Sequence, residues 1–575
     1  MDIKYITILL VLSAVSMNQL FACQRDTLYF VDETFSRLPD NQQISTSSDV
    51  GDVDGDGDLD IVVGNVCWFE FYWCENRILI NDGNGFFTDE SALRLPDNDN
   101  DTKDVTFCDV DNDLDLDILF ANAGLNSVGE QNTIMINDGN GYFVDETDVR
   151  LPDLVDGSKD ILCADVDGDL HLDLVISNLH GHNNRVSLND GQGFFTDYLI
   201  IPEGTDSLKT TRFLAVDSDN DFDIDLVMIN KVVDSPFEYI YQDDLLLINY
   251  GYGAFFYSDQ PLPNDPNDFS WIGKTYDLNT DNINDIFICK GFQSTMYMSD
   301  GSGGYIDETF DHLPDTNNPR DQAVADLSGD GFADIFYAGG SGNENQLFLN
   351  DGDNYFSDIS NLSLPSLPMS TSRSTNVADF DRDGDLDIFI AAQGDLRSRL
   401  LINYGDIPDS TCPRIYFNEA HSIFNGSQIR IFVQDDMIWL ISVQLLFRQT
   451  GDSTFISREM VPVGGDLYQV SLTDYSNIEI EYYFEATDHN GNETVFPEDA
   501  PESNLLIFTP INSIPFLGDL NQDETLNILD IIIMVDIVLG NLIPDEYMQL
   551  SGDVNQDTIL DVIDIVGLVW MILES

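Results

Sequence analysis

Positive charge is what this chain has least of. Its 575 residues include 23 lysines and arginines and 6 histidines against 104 aspartates and glutamates, a formal net charge of −81. That deficit excludes nucleic acid and anionic membrane surfaces as partners, because both are bound through concentrated cations. Cysteine is nearly as scarce: Cys23, Cys67, Cys74, Cys108, Cys163, Cys289 and Cys412 are too few for a disulfide framework over this length. Beyond the N-terminus no apolar run is long enough for a transmembrane helix. The composition is not that of a disordered acidic chain, since 43% of residues are hydrophobic and 11% aromatic. A cored chain with this charge implies bound cations.

The few cysteines divide by context. Cys67 and Cys74 flank a short loop and are placed to pair in an oxidising compartment. Cys108, Cys163 and Cys289 lie in apolar strand patterns and read as buried small hydrophobes. The N-terminus, with Lys4 ahead of the apolar stretch from Ile6 to Met17, reads as a secretion signal over residues 1–22. Leu20-Phe21-Ala22-Cys23 partly resembles a bacterial lipoprotein box, which sets lipidation at Cys23 beside plain cleavage. The expected location is extracellular or on a bacterial cell surface.

What the chain has in excess is one acidic loop, repeated. Asp52, Asp54, Asp56, Asp58 and Asp60 crowd into nine residues, and Ile61-Val62-Val63 follows. Five carboxylates this close repel unless a cation lies between them. Ca²⁺ takes six to eight oxygen ligands, and a loop glycine supplies the turn that brings them round. The pattern recurs with Asp109, Asp111, Asp113, Asp115 and Asp117, then Asp165, Asp167, Asp169 and Asp173, then Asp217, Asp219, Asp221 and Asp225. It recurs again with Asp277, Asn279, Asp281 and Asp285, with Asp326, Ser328, Asp330 and Asp334, and with Asp379, Asp381, Asp383 and Asp387. The sixth position is Gly57, Gly331 or Gly384 in three loops, but Leu114, Leu170, Phe222 or Asn282 in the others. Those four loops are expected to bind more weakly or to be shaped differently.

Each loop leads into a β-rich run, then into a strand ending in a tight turn such as Asn81-Asp82-Gly83-Asn84-Gly85, then into a fourth strand closing on Leu-Pro. With the strand that enters the loop, every unit holds four antiparallel strands. Radial repetition of such units is the β-propeller. The seventh unit lacks a fourth strand after Asn403-Tyr404-Gly405, while the segment from Leu28 to Pro39 matches a fourth strand with no unit before it. The segment is therefore expected to complete the last blade and close a seven-bladed ring.

The loop with its Leu-Asp-Ile-Val-Val-Gly continuation resembles the calcium-binding FG-GAP/VCBS repeat of integrin-α-like propellers, and the likeness spans roughly residues 28 to 405. The resemblance implies Ca²⁺ as the resident ion. In this geometry the acidic loops and Asn-Asp-Gly turns share one face, and the variable inserts share the other. Trp68, Phe71, Tyr72 and Trp73 on that other face form either an aromatic platform or core; His180 and His182 are either metal ligands or loop. Six positions before each loop stand Thr46, Lys103, Lys159, Thr211, Trp271, Arg320 and Arg373, a basic ring expected at the channel mouth. Asp104, Asp160 and Asp321 follow three of these cations, so inter-blade salt bridges and capture of an anionic glycan are both open.

After Cys412 the loops stop. Alternating strands across residues 411–509 argue a β-sandwich that resembles Ig- or fibronectin-III-like modules. Residues 510–516 read as a linker. Residues 517–575 carry two loops with EF-hand spacing, Asp519, Asn521, Asp523, Asn527 and Asp530, then Asp553, Asn555, Asp557, Asp561 and Asp564, each leading into an apolar helix. The pair resembles a type I dockerin, although Glu524 and Thr558 replace the loop glycine and Ile528-Leu529 and Val562-Ile563 stand at the partner-reading positions. The resemblance implies a cohesin-like partner or a surface anchor. The fold class expected is mainly β: propeller, sandwich, then a small α-helical domain.

Two functions follow. The first is a secreted calcium-binding module that binds a glycan or protein on the face opposite the calcium loops. The second is a propeller-based polysaccharide lyase or glycosidase carrying a dockerin, with Glu70 or Glu238 as candidate acids. No nucleophile motif marks an active site, so no catalytic residue is named and binding is the preferred reading.

Overall fold

The computed structural model describes residues 28–574 except 40–43, 68–74, 97–98, 125–127, 180–181, 201–208, 232, 235–238, 241, 250–252, 254, 264–268, 341, 368–370, 394–396, 406–410, 419–421, 425–426, 436–439, 489, 499, 502, 511–517, 519, 521–525, 540–541, 543, 545, 553, 555–559 and 561. The signal segment, Cys23, Glu70, the aromatic insert, His180, Glu238, the linker from 511 onward and most of both C-terminal loops lie outside the described residues.

Alternation of apolar residues around fixed turns produces seven four-stranded antiparallel sheets among the described residues. The first contains Ser45–Gly51, Asp60–Asn65, Arg77–Asn81 and Phe87–Asp89. The second to sixth repeat this order, opening with Thr102–Cys108, Ser158–Ala164, Thr210–Val216, Ser270–Tyr276 and Pro319–Ala325. The seventh takes Thr371–Ala378, Asp387–Gln393 and Arg399–Asn403 from one end of the chain and Phe30–Asp32 from the other, with Phe30 opposite Asn403. First strands of successive sheets touch all the way round, and Thr371–Ala378 touches Ser45–Gly51. The architecture is of β-propeller type. Its second strands are apolar and wholly buried, as at Asp60–Asn65 and Asp225–Asn230, because sheets pack on both their faces.

Between the fourth strand and Leu-Pro the chain makes one helical turn, as in Thr34–Arg37, Ser91–Arg94 and Thr147–Arg150. This turn aims an arginine at the next sheet. Arg94 bonds Glu90 at 2.7 Å and Asp54 at 3.1 Å, donates to the Asn140 carbonyl at 2.9 Å, and lies over the Tyr142 ring. Arg37 and Arg150 repeat the clasp on Asn84 and Phe86 and on Gln192 and Phe194. His312 takes the place in the fifth sheet, bonding the Asn354 carbonyl and stacking on Tyr355.

Cys108 and Cys163, read above as buried hydrophobes, form a disulfide across 6.4 Å of Cα separation. They end the first strands of adjacent sheets, a juxtaposition that the 55-residue repeat creates and linear context does not reveal. Cys67 is also disulfide-bonded, Cys289 is free and buried, and Cys412 is free and exposed. Following the propeller, two five-stranded sheets built on Gln428–Gln434 and Leu440–Gln449 share one core that includes Ile431, Phe447, Tyr482 and Phe484. Helices Ile528–Val538, Glu546–Gly552 and Val562–Glu574 form the C-terminal part. No helix among the described residues is long and apolar enough to cross a membrane.

Candidate functional site

The seven acidic loops join first strands to second strands. In each, the first aspartate accepts backbone N–H groups from within its own loop, as Asp52 does from Gly55 and Gly57 at 2.9 Å and Asp379 from Asp383 and Gly384 at 3.1 and 3.0 Å. The last aspartate ties the loop to the neighbouring hairpin. Its Oδ1 accepts from the N–H of Asn81, Asn137, Asn189, Asn249, Ser299, Asn350 and Asn403 in turn, at 2.7–3.0 Å. The hairpin asparagine then reaches the preceding sheet: Asn137 donates to the Val53 carbonyl at 2.8 Å and Asn189 to that of Val110 at 2.8 Å. The Asn-Asp-Gly signature thus tethers sheets as well as turning the chain.

The loops lacking glycine are not shaped differently. Leu114, Leu170, Phe222 and Asn282 adopt φ of 72°, 81°, 69° and 69°, close to the 87° of Gly57 and the 86° of Gly331. The fourth position is left-handed throughout as well, at Gly55, Asn112, Gly168, Asn220, Thr280, Gly329 and Arg382. Non-glycine residues pay roughly 1–2 kcal/mol for this conformation, and the hydrogen-bonded loop holds them in it.

Five loops bring three acids within 4.8 Å of one another among the described residues: Asp52, Asp54, Asp60; Asp109, Asp111, Asp117; Asp165, Asp167, Asp173; Asp217, Asp219, Asp221; and Asp379, Asp381, Asp387. These groups are placed to hold a metal ion. Burial pushes Asp60 and Asp117 up to about 7, and it raises Asp54, Asp111 and Asp381 with help from neighbouring acids. Asp54, Asp111 and Asp381 each keep a buried Oδ1 with no hydrogen-bond partner, at the same loop position three times over. Oxygen donors left over in a raised-pKa cluster suit a hard cation. The loops beginning at Asp277 and Asp326, where Asn279 and Ser328 replace an acid, form no such three-acid group.

At the C-terminus, Asp530 and Asp564 are fully buried and accept from the N–H of Leu520 at 3.1 Å and Val554 at 2.8 Å. Asn527 caps the helix by accepting from Leu529, while Asp530 accepts from the Asn527 N–H. Asp519, Asn521, Asp523, Asp553, Asn555, Asp557 and Asp561 lie outside the described residues.

The acid-loop face is where the two-sheet domain sits. Arg430, fully buried, bonds Asp165 at 3.2 Å and the Phe222 carbonyl, and its guanidinium lies 3.8 Å from Asp223. Arg414 bonds Asp277 at 3.2 Å, and Asn284 donates to Asp466 at 3.0 Å. Phe432, Val463 and Leu467 join the core of the third and fourth sheets. Nothing in the loops' local pattern announces this cover, because the arginines come from strands 137 and 265 residues further on.

The opposite ends of the first strands converge on a second site. In all seven sheets the pairing of first and second strands slips by one residue, at Thr46, Lys103, Lys159, Thr211, Trp271, Arg320 and Arg373. A bulge re-aims its side chain, and these seven all line one cavity of about 240 Å³. The following residues lie deeper. There Arg212 bridges Asp160 at 2.8 Å and Asp104 at 3.4 Å. At Asp104 and Asp160 the inter-blade salt bridge thus comes from Arg212, while Lys103 pairs with Asp101 at 2.8 Å. Burial pushes Lys159 down to about 8, and burial with the neighbouring Arg373 pushes Arg320 down to about 10. His182 lies 3.3 Å from Asp156 and joins no described metal group.

A model of the FG-GAP-like repeat family matches residues 326–390. No curated protein is similar to the chain. Among solved structures, an Agrocybe aegerita lectin that recognises non-reducing terminal N-acetylglucosamine is 18% identical with a TM-score of 0.38, over 60% of this chain and 86% of that one. The extracellular domain of a B. thetaiotaomicron hybrid two-component system is 9% identical with a TM-score of 0.38, over 84% of this chain and 58% of that one. The Dos1 propeller is 11% identical with a TM-score of 0.35, over 78% of this chain and 95% of that one.

Proposed function

We propose that this chain is a secreted, calcium-stapled binding protein. A seven-bladed propeller over residues 23–410 holds the ligand. An Ig- or fibronectin-III-like sandwich over 411–509 covers part of the calcium face. A linker over 510–516 leads to a dockerin-like unit over 517–575, which attaches the whole to a cohesin-like partner or a cell surface. The all-oxygen loops with leftover buried donors support Ca²⁺ as the ion.

One observation carries the binding role: seven side chains, one from each first strand, meet in a single cavity at the end opposite both the acid loops and the two-sheet domain. The ligand, a glycan or a protein, therefore approaches the variable-insert face. The test is a glycan array and a protein-ligand screen with the full chain, in Ca²⁺ and in EDTA. Binding that needs Ca²⁺ and leaves the ligand intact is expected. Cleavage of a polysaccharide, abolished by replacing one carboxylate on the variable face, would replace this reading with the lyase or glycosidase.

A further inference from the structure

The channel mouth concentrates charge that the rest of the chain lacks. Its lining includes Lys103, Lys159, Arg212, Lys231, Arg320 and Arg373, against two carboxylates, Asp104 and Asp160. Those two carboxylates are already bridged by Arg212. Among the outer cations, Lys103 pairs with Asp101 at 2.8 Å. Arg320 lies over the Trp271 ring at 3.5 Å and Lys231 over the same ring at 4.4 Å. Arg373 donates from Nε to the Gln393 amide oxygen at 2.6 Å. Cation–π contacts of this kind pin cations without cancelling them. Packing like charges together costs free energy, and the lining places six cations against two carboxylates in a chain of net charge −81.

We propose that the mouth binds the carboxylate or sulfate group of an acidic sugar, held by Arg320, Arg373, Lys103 and Lys159. The inference rests on the binding-module reading above and names its ligand class. Guanidinium groups offer the planar paired donors that match an oxyanion, and lysines add point charge. Thr46 and Thr211 line the same cavity; their hydroxyls donate to backbone carbonyls of Thr102 and Ile229, which leaves them as acceptors for a sugar hydroxyl. The cavity, at about 240 Å³, is smaller than the roughly 300–1,000 Å³ typical for drug-sized ligands, so it admits one charged residue end-on. A long polyanion laid across the surface would meet the repulsion of the remaining acids. Trp271 has its ring engaged by cations and serves here as their support, not as a stacking platform for the sugar.

The experiment is titration calorimetry on the full chain in saturating Ca²⁺, with glucuronate, trigalacturonate and glucose 6-sulfate as ligands and with glucose, maltotriose and inorganic sulfate as controls. Saturable binding of the acidic sugars, none of the neutral ones, and at least a tenfold loss in Arg373→Gln with an unchanged melt are expected. Should Arg373→Gln fail to fold, Lys103→Gln serves, because Lys103 is partly exposed with a single carboxylate partner. A readout needing no variant is proton uptake. Lys159, pushed down to about 8 by burial and flanked by Asp104, Asp160, Arg212 and Lys103, gains a proton as the anion enters, so binding heats at pH 8 depend on the buffer and affinity falls as pH rises through 8. Absence of saturable binding by every acidic sugar, or binding indifferent to both variants, would overturn the inference. Inorganic sulfate binding as tightly as the sugars would overturn the sugar assignment. Neutral-glycan or protein binding that survives the mouth variants would overturn it while leaving the binding-module reading intact.

Discussion

The seven first strands end in opposite chemistry. At one end, carboxylates gather in loops that accept backbone N–H groups and leave spare oxygens. At the other, bulged residues bring the chain's scarce cations round one cavity. Both ends exploit the same repetition: a feature placed once per unit is multiplied into a ring by the fold. The lesson lies in what each ring does with its self-repulsion. The acid ring is spread over seven separate loops, five of which gather three acids placed to hold a cation of their own. The basic ring is pooled into one space, which suits one shared anion.

The comparison breaks most directly at the acid end. Removing Ca²⁺ with EDTA is expected to lower the melting temperature markedly, since each occupied site contributes about 2.7 kcal/mol at a hundredfold excess of ion over Kd. Scanning calorimetry with and without EDTA, beside elemental analysis for calcium, measures it. An unchanged melt with no bound calcium would remove the distinction between the two ends.

Arg430→Met comes next. Its loss leaves Asp165 and the Phe222 carbonyl buried without their partner, a change that typically costs about 3–5 kcal/mol. The loss should be larger in EDTA than in Ca²⁺, because an ion held by Asp165, Asp167 and Asp173 would neutralise Asp165 from the other side. Limited proteolysis between the propeller and the two-sheet domain reports it. Equal effects in both conditions would mean that Asp165 does not share its charge with a metal.

Arg94→Met tests the clasp between neighbouring sheets. Two ion pairs, a carbonyl contact and a ring contact go with it, and a loss of about 1–3 kcal/mol is expected. Leu114→Gly is the smallest change. Leu114 is 69% exposed and sits at φ 72°, so glycine should relieve about 1 kcal/mol of left-handed strain with little packing lost. The same change at Phe222, which is fully buried beside Tyr416, should destabilise instead. Urea melts of the two variants measure the contrast.

Much of this is legible in the sequence alone. Apolar runs such as Ile61-Val62-Val63 mark second strands because a strand buried on both faces needs no alternation, and that run lies inside Asp60–Asn65. The acidic spacing identified the loops because carboxylates in close quarters are too costly to be accidental seven times. The ring of residues six places before each loop was visible as a pattern of scarce cations. Its cause, a bulge in every sheet, was not, since bulges leave no mark on composition. The Cys108–Cys163 disulfide, the arginine clasp and the reach of Arg430 were hidden for a shared reason. Each joins residues that only the curvature of the ring or the docking of a second domain brings together, and no local period encodes either. The shape of the glycine-free loops is not legible from propensity, because hydrogen bonds to Asp109 and Asp217 over-determine those turns.

The pairing of Phe30 with Asn403 also sets an order of events during synthesis. A ribosome delivers the closing strand before any of the first sheet, and its partner only after the last acidic loop. The earliest piece of the seventh sheet must therefore wait, unpaired, while six sheets are made. Loop-closure entropy grows slowly with length, so the delay costs little at equilibrium, but contacts this distant slow folding. Only when these two ends of the chain have met is the ring whole, and only then do the cations of its mouth share one cavity.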